Sequence, residues 1–144
     1  MTPTDQLDVA IEQSHTAVAA TLAGDLDAYR RVCTDHDDVT LGRPFGLFAR
    51  GHEAVSEALT AGLHVRDAEI VGVQPVARYV SDTLACLVEV ELYRGRVGAT
   101  DDYAVFALRV TSVFRVEDGR FRLVHRHADP VQTPSAPDRG PERS

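Results

Sequence analysis

At about Arg66 the hydrophobic period of this chain changes. Before that point apolar residues recur every three to four positions; after it they alternate. Helices therefore come first and long strands follow. That order defines an α+β domain whose helices cover one face of a curved antiparallel sheet.

The spacing predicts a helix from a Thr4 cap to about Ala23, with Leu7, Ile11, Val18 and Leu22 on one stripe and His15 among them. Gly24 ends it, and Asp25 caps a short helix over Leu26 to Cys33. Asp35-His36-Asp37-Asp38 reads as a solvated turn, Val39 to Leu41 as a short strand, Phe45 to Phe48 as a loop or bent hairpin, and Gly51 to Leu59 as a third helix. Strands are predicted over Ala68–Tyr79, Thr83–Tyr93, Tyr103–Val116 and Arg120–Ala128. Pro75 marks the first of these as an edge or bulged strand. Asp118-Gly119 marks a tight hairpin between the last two. Residues 1–130 form one domain on this reading, and residues 131–144, rich in proline, charge and small side chains, form a disordered tail.

The net charge of −7 argues against nucleic acid as the main partner, because phosphate binding needs a basic face. No apolar run approaches the ~20 residues that cross a bilayer. The start of the chain lacks the basic and apolar segments of a secretion signal. Two cysteines, Cys33 and Cys86, make no disulfide framework, so a cytoplasmic protein with free thiols is expected. Every basic residue is arginine, which excludes lysine Schiff-base chemistry.

With Asp118-Gly119 as the turn, Val116 faces Phe121 and Phe114 faces Leu123. The same register sets Ser112 opposite His125 and Val110 opposite His127; a one-residue slip would reverse the faces, but the mainly apolar partners of this set argue against it. Phe106, Leu108, Val110, Ser112 and Phe114 then share one face with Phe121, Leu123, His125, His127 and Asp129. The neighbouring apolar set is Leu84, Cys86, Val88, Val90 and Leu92. Glu89, Glu91, Arg109, Arg115, Arg122 and Arg126 fall on the opposite face, as a ladder of opposite charges suited to water or a partner. The helices are thus expected to meet a face that carries two histidines. That face turns polar toward Asp129, where a small-molecule pocket can form.

His125-Arg126-His127-Ala128-Asp129 is the stretch richest in chemistry. Two imidazoles two residues apart on a strand point the same way, with Cα atoms roughly 6.6 Å apart. With Asp129 following, His125 and His127 can serve as general base or acid. They can equally be histidines satisfied by hydrogen bonds within the sheet. A metal site from the two histidines with Asp129 or Cys86 lacks a second ligand motif of known spacing, so no metal or other cofactor is expected. His15 can reach the same pocket or sit at the core edge. Arg43 can hold an anionic or carbonyl group, or lie over an apolar rim. Tyr29, Phe45, Phe48, Cys86, Phe106, Val110 and Ser112 complete the expected lining, with Cys86 as inert packing on the core face.

Ala23-Gly24-Asp25-Leu26-Asp27-Ala28, Pro44-Phe45-Gly46, Arg50 to Val55, and Arg109 to Phe114 followed by His125 to Pro130 resemble the nuclear transport factor 2-like superfamily. The nearest branch is that of SnoaL-like and ketosteroid-isomerase-like proteins, in a subgroup of unassigned activity. The resemblance covers about residues 5–130. It implies a cone of curved antiparallel sheet around three helices, a cystatin-like fold, with an internal pocket and a homodimer through the outer sheet face. Members of the superfamily include isomerases, polyketide cyclases, dehydratases, epoxide hydrolases and non-catalytic association domains, so the fold alone selects no reaction. The ketosteroid isomerase residues are absent: Arg43 stands where the general-base aspartate precedes Pro-Phe-Gly, Ala17 near the helix tyrosine, and Val110 or Thr111 near the second aspartate. Two expectations follow. One is an acid–base enzyme of isomerase, dehydratase or cyclase type on a largely apolar metabolite, using His125, His127 and Asp129. The other is a non-catalytic ligand-binding or dimerisation domain.

Overall fold

The computed structural model describes residues 2–43, 47–62 and 65–131. Three helices, α1 (Pro3–Leu22), α2 (Leu26–Val32) and α3 (His52–Gly62), pack with six strands: β1 (Thr40–Gly42), β2 (Ala49–Arg50), β3 (Val65–Val80), β4 (Leu84–Val97), β5 (Tyr103–Glu117) and β6 (Arg120–Pro130). The strands form one curved, unclosed sheet in the order β2-β1-β6-β5-β4-β3. The expected cone with helices on one face is present. One pairing departs from the all-antiparallel expectation: β1 runs parallel to β6, and the long connection that parallel neighbours need is supplied by β2, α3 and β3 to β5.

Local chemistry explains the element boundaries. Thr2, rather than Thr4, caps α1; it accepts from the Asp5 amide while the Asp5 carboxylate accepts from the Thr2 amide. Pro3 takes the first helical position, where its missing N–H costs nothing, so the cap falls two residues before Thr4. Asp25 caps α2 as expected. Asp37 accepts from the His52 amide at 2.7 Å and so caps α3 from a distance. Gly51 beside it has φ +89°, and a Cβ there would lie 3.2 Å from the Asp37 carboxylate. Asp38 is held by Arg115 through two hydrogen bonds of 2.8 and 3.0 Å. The acidic turn is thus partly engaged rather than simply solvated.

Asp118 and Gly119 both have positive φ, 52° and 77°, the backbone of a two-residue hairpin turn. Pro75 lies on the edge strand β3, next to a register shift between Pro75 and Ala77. The core joins Leu7, Ile11 and Val18 of α1 to Tyr29, Cys33 and Val55, and to Ala85, Leu87, Tyr93, Phe114 and Leu123 of the sheet. Fully buried aromatic and aliphatic side chains of this kind contribute about 1.5–3 kcal/mol each.

Candidate functional site

The expected register holds for half of the last hairpin. Val116 pairs with Phe121 and Phe114 with Leu123. Then β6 carries one extra residue, Val124, and the next pair is Val113 with His125. An inserted residue in one strand turns every later side chain to the other face. Ser112 consequently faces Arg126, and Val110 faces Ala128. The bulge sits where the edge partner of β6 changes. The Thr34 amide bonds the Leu123 carbonyl at 2.9 Å, and from His125 onward β6 pairs with β1.

His125, His127 and Asp129 therefore lie on the outer face, not toward the helices as expected. The same reversal applies to β4. Ala85, Leu87, Glu89, Glu91 and Tyr93 pair with the inward residues of β5, while Cys86, Val88, Val90 and Leu92 face out. Arg109, Arg115 and Arg122 are outward as expected, but Glu89, Glu91 and Arg126 are buried inside.

Those three residues build a polar constellation on the concave face. Arg126 reaches from β6 to β4 and donates to both Glu91 oxygens, at 3.0 and 2.8 Å. The Tyr93 hydroxyl donates to Glu91 Oε1, and its ring stacks on Phe106 at 5.4 Å. From α1, His15 Nε2 lies 2.7 Å from Glu89 Oε2 and 3.9 Å from Glu91 Oε2. Glu89 is 3 % exposed, whereas His15 keeps 21 % of its side chain exposed. The pair is thus reached from the histidine side.

Each ionisation has a physical cause. The Glu89 hydrogen bond holds the His15 imidazole above its ordinary value, against a smaller opposing effect of burial. Burial raises the Glu89 carboxyl; His15 opposes this, and the neighbouring Glu91 carboxylate adds to it. Burial also penalises ionised Glu91, but the Arg126 hydrogen bonds and charge outweigh it and bring that carboxyl to about 2. Two carboxylates on one face are thereby driven apart in basicity. Such a split makes one a fixed counter-ion and the other a proton carrier.

The other expected residues separate. Tyr29, Val110 and Ser112 are buried inside. Arg43 is half-buried just after β1, and Phe45 lies outside the described residues. Phe48 is 63 % exposed and stands against both outer histidines, 6.1 Å from the His125 ring and 5.5 Å from that of His127. His125 Nδ1 lies 2.7 Å from Thr40 Oγ1, and His127 Nε2 lies 3.2 Å from Asp129 Oδ2. Burial, with the nearby His127 charge, lowers the His125 imidazole. Cys86 is a half-buried outer-face residue rather than core packing.

Two buried polar atoms near the core have no hydrogen-bond partner: Tyr29 Oη and His52 Nε2. Both residues line a cavity of about 10 Å³ between α2 and α3. A cavity of about 210 Å³ opens elsewhere, beside the β5–β6 turn. Neither cavity is lined by His15, Glu89 or Glu91. His15, Glu89 and Glu91 do bring three ligand atoms within 4.8 Å of one another. Arg126 already supplies the cation that Glu91 pairs with, and its charge opposes a second one there. The residues present fit an ion-pair network better than a metal centre.

Glu89, Glu91 and Arg126 were not legible as a site, because Val-Glu-Val-Glu alternation reads equally well with either parity inward. The usable signal was Ala85 and Tyr93, small and aromatic residues on the same parity as the two glutamates.

This chain belongs to the SnoaL-like domain family, whose pattern matches residues 10–131. Its fold is that of nuclear transport factor 2-like proteins. A candidate dehydratase of that family from Streptomyces avermitilis superposes with a TM-score of 0.74 at 18 % identity, over 91 % of this chain and 98 % of the other. A candidate calcium/calmodulin-dependent protein kinase type II association domain from Thiobacillus denitrificans gives 0.70 at 22 %, over 87 % and 94 %. A ketosteroid isomerase-like protein from Erwinia carotovora atroseptica gives 0.71 at 16 %, over 88 % and 94 %. Likeness at these identities speaks to the fold alone. No curated protein matches the chain. Among the described residues, no helix is long and apolar enough to cross a membrane.

Proposed function

We infer that the protein is an acid–base enzyme of the isomerase, dehydratase or cyclase type, acting on a small, largely apolar and neutral compound. His15 and Glu89 form its proton-carrying pair. The 2.7 Å contact between a partly exposed imidazole and a buried carboxylate supports this reading most strongly. Burial makes Glu89 a stronger base than an ordinary carboxylate, and His15 holds the proton it exchanges. The Glu91–Arg126–Tyr93 group fixes the second carboxylate in its ionised form and so holds the basicity of its neighbour up. The four charges on this face, two positive and two negative, cancel in pairs, which favours a neutral guest. His125, His127 and Asp129 stand on the opposite face and take no part in this step.

Native mass spectrometry of the protein purified from cells identifies a retained small molecule. Proton–deuterium exchange at carbon in that molecule is then compared between the wild type and Glu89→Gln. Exchange is expected to slow by about 10²-fold or more in the variant, the usual contribution of a general base. Equal exchange in both proteins overturns the assignment.

A second reading concerns association. We infer that two copies pair through the outer sheet face, as cytoplasmic homodimers with reduced thiols. Tyr79 and Val105 are 64 % and 70 % exposed there, and Leu84 is exposed beside half-buried Val88, Val90 and Leu92. Exposed apolar side chains gathered on one face, here between Arg109 and Arg115, mark an interaction surface.

A further inference from the structure

The 210 Å³ cavity lies apart from the His15–Glu89 pair, between the first half of α1, the end of α2 and the start of β6. Its apolar side is made by Val9, Ala10, Val32 and Phe121, with Phe114 buried behind them. Gln6 and Gln13 of α1 and Arg120 and Arg122 of β6 stand around it. None of its lining residues is acidic, in a chain with a net charge of −7.

The two arginines differ in how they are held. Arg122 donates from Nε and one Nη to the Cys33 carbonyl, at 3.0 and 2.6 Å, which fixes its guanidinium plane. Its nearest carboxylate, Asp35, is 3.8 Å away and 91 % exposed. Arg120 pairs in register with Glu117, but that carboxylate is already bound by Arg115 at 2.7 Å and by the Thr34 hydroxyl. Among the described residues Arg120 has no ion pair.

An apolar cavity of ~150 Å³ is large enough for benzene. The present one therefore accommodates a single substituted ring. Planar guanidinium groups match carboxylates through paired hydrogen bonds, and amide side chains add further donors. We propose that this cavity is a second ligand site, for a monocyclic aromatic carboxylate whose ring lies against Val9, Val32 and Phe121 and whose carboxylate meets Arg120 and Arg122. The site stands independently of the acid–base reading.

Benzoate and its uncharged analogue benzyl alcohol are titrated into ¹⁵N-labelled full-length protein. Benzoate is expected to shift the amides of Ala10, Gln13 and residues 119–122 saturably, at least about tenfold more tightly than benzyl alcohol, the scale of one charged hydrogen bond. Arg120→Gln, an exposed substitution beside the turn, weakens benzoate about tenfold and leaves benzyl alcohol unchanged. Absence of saturable shifts at these amides overturns the proposal. So does equal affinity for the two probes, or a benzoate affinity unaltered by Arg120→Gln.

Discussion

His15 Nε2 lies 2.7 Å from Glu89 Oε2 across the interface between α1 and β4. The contact sets how stability depends on pH. The folded-state His15 value is raised above 6.5 and that of Glu89 above 4.5. A group whose value is raised on folding stabilises below its unfolded value, and the contribution is lost as pH rises through the folded value. The urea midpoint of the wild type is therefore expected to fall as pH rises above 6.5. His15→Gln flattens that limb. A limb of equal slope in both proteins contradicts the pairing.

Glu91 works in the opposite sense. Its carboxyl is held down to about 2, so its contribution is present above 4.5 and is lost as pH falls through about 2. Arg126→Met leaves this carboxylate buried and unpaired, which is expected to cost about 3–5 kcal/mol in urea unfolding. Arg126→Met combined with Glu91→Leu recovers much of that loss, because replacing both charges removes the uncompensated one. A double variant no more stable than the single one contradicts a simple ion-pair role.

Tyr29 is 2 % exposed, and its hydroxyl has no partner. Tyr29→Phe removes that hydroxyl and keeps the ring. Thermal and urea unfolding are expected to show a neutral change or a gain of about 1 kcal/mol. A loss of more than about 1 kcal/mol shows that the hydroxyl is bonded in solution.

The outer face is tested by charge. Val88 lies near its middle, paired with Ala77 and Thr111. Sedimentation is expected to give a dimer for the wild type and a monomer for Val88→Glu, since charges are depleted from interface centres. A monomeric wild type contradicts the proposed pairing.

Much of the architecture was readable because it rests on local rules. Alternation, the Asp118-Gly119 turn and the Asp25 cap each follow from a few neighbouring residues. The site was not readable, because it depends on parity, and parity hangs on Val124. Nothing about that valine announces a bulge. The bulge coincides with a contact to a segment far earlier in the chain, where the Thr34 amide meets the Leu123 carbonyl. Alternation alone also could not say that Glu89 and Glu91 point inward, since burying carboxylates is favourable only once His15 and Arg126 are in place. His15 lies on the interior stripe of α1, but its partner is defined only once the strands are assembled.

The His15–Glu89 pairing is tested most directly by titrating the His15 imidazole, followed by NMR in the wild type and in Glu89→Gln. A midpoint above 6.5 is expected in the wild type, with a clear drop when the carboxylate is removed. A wild-type midpoint at or below 6.5, or the same midpoint in both proteins, would contradict the pairing.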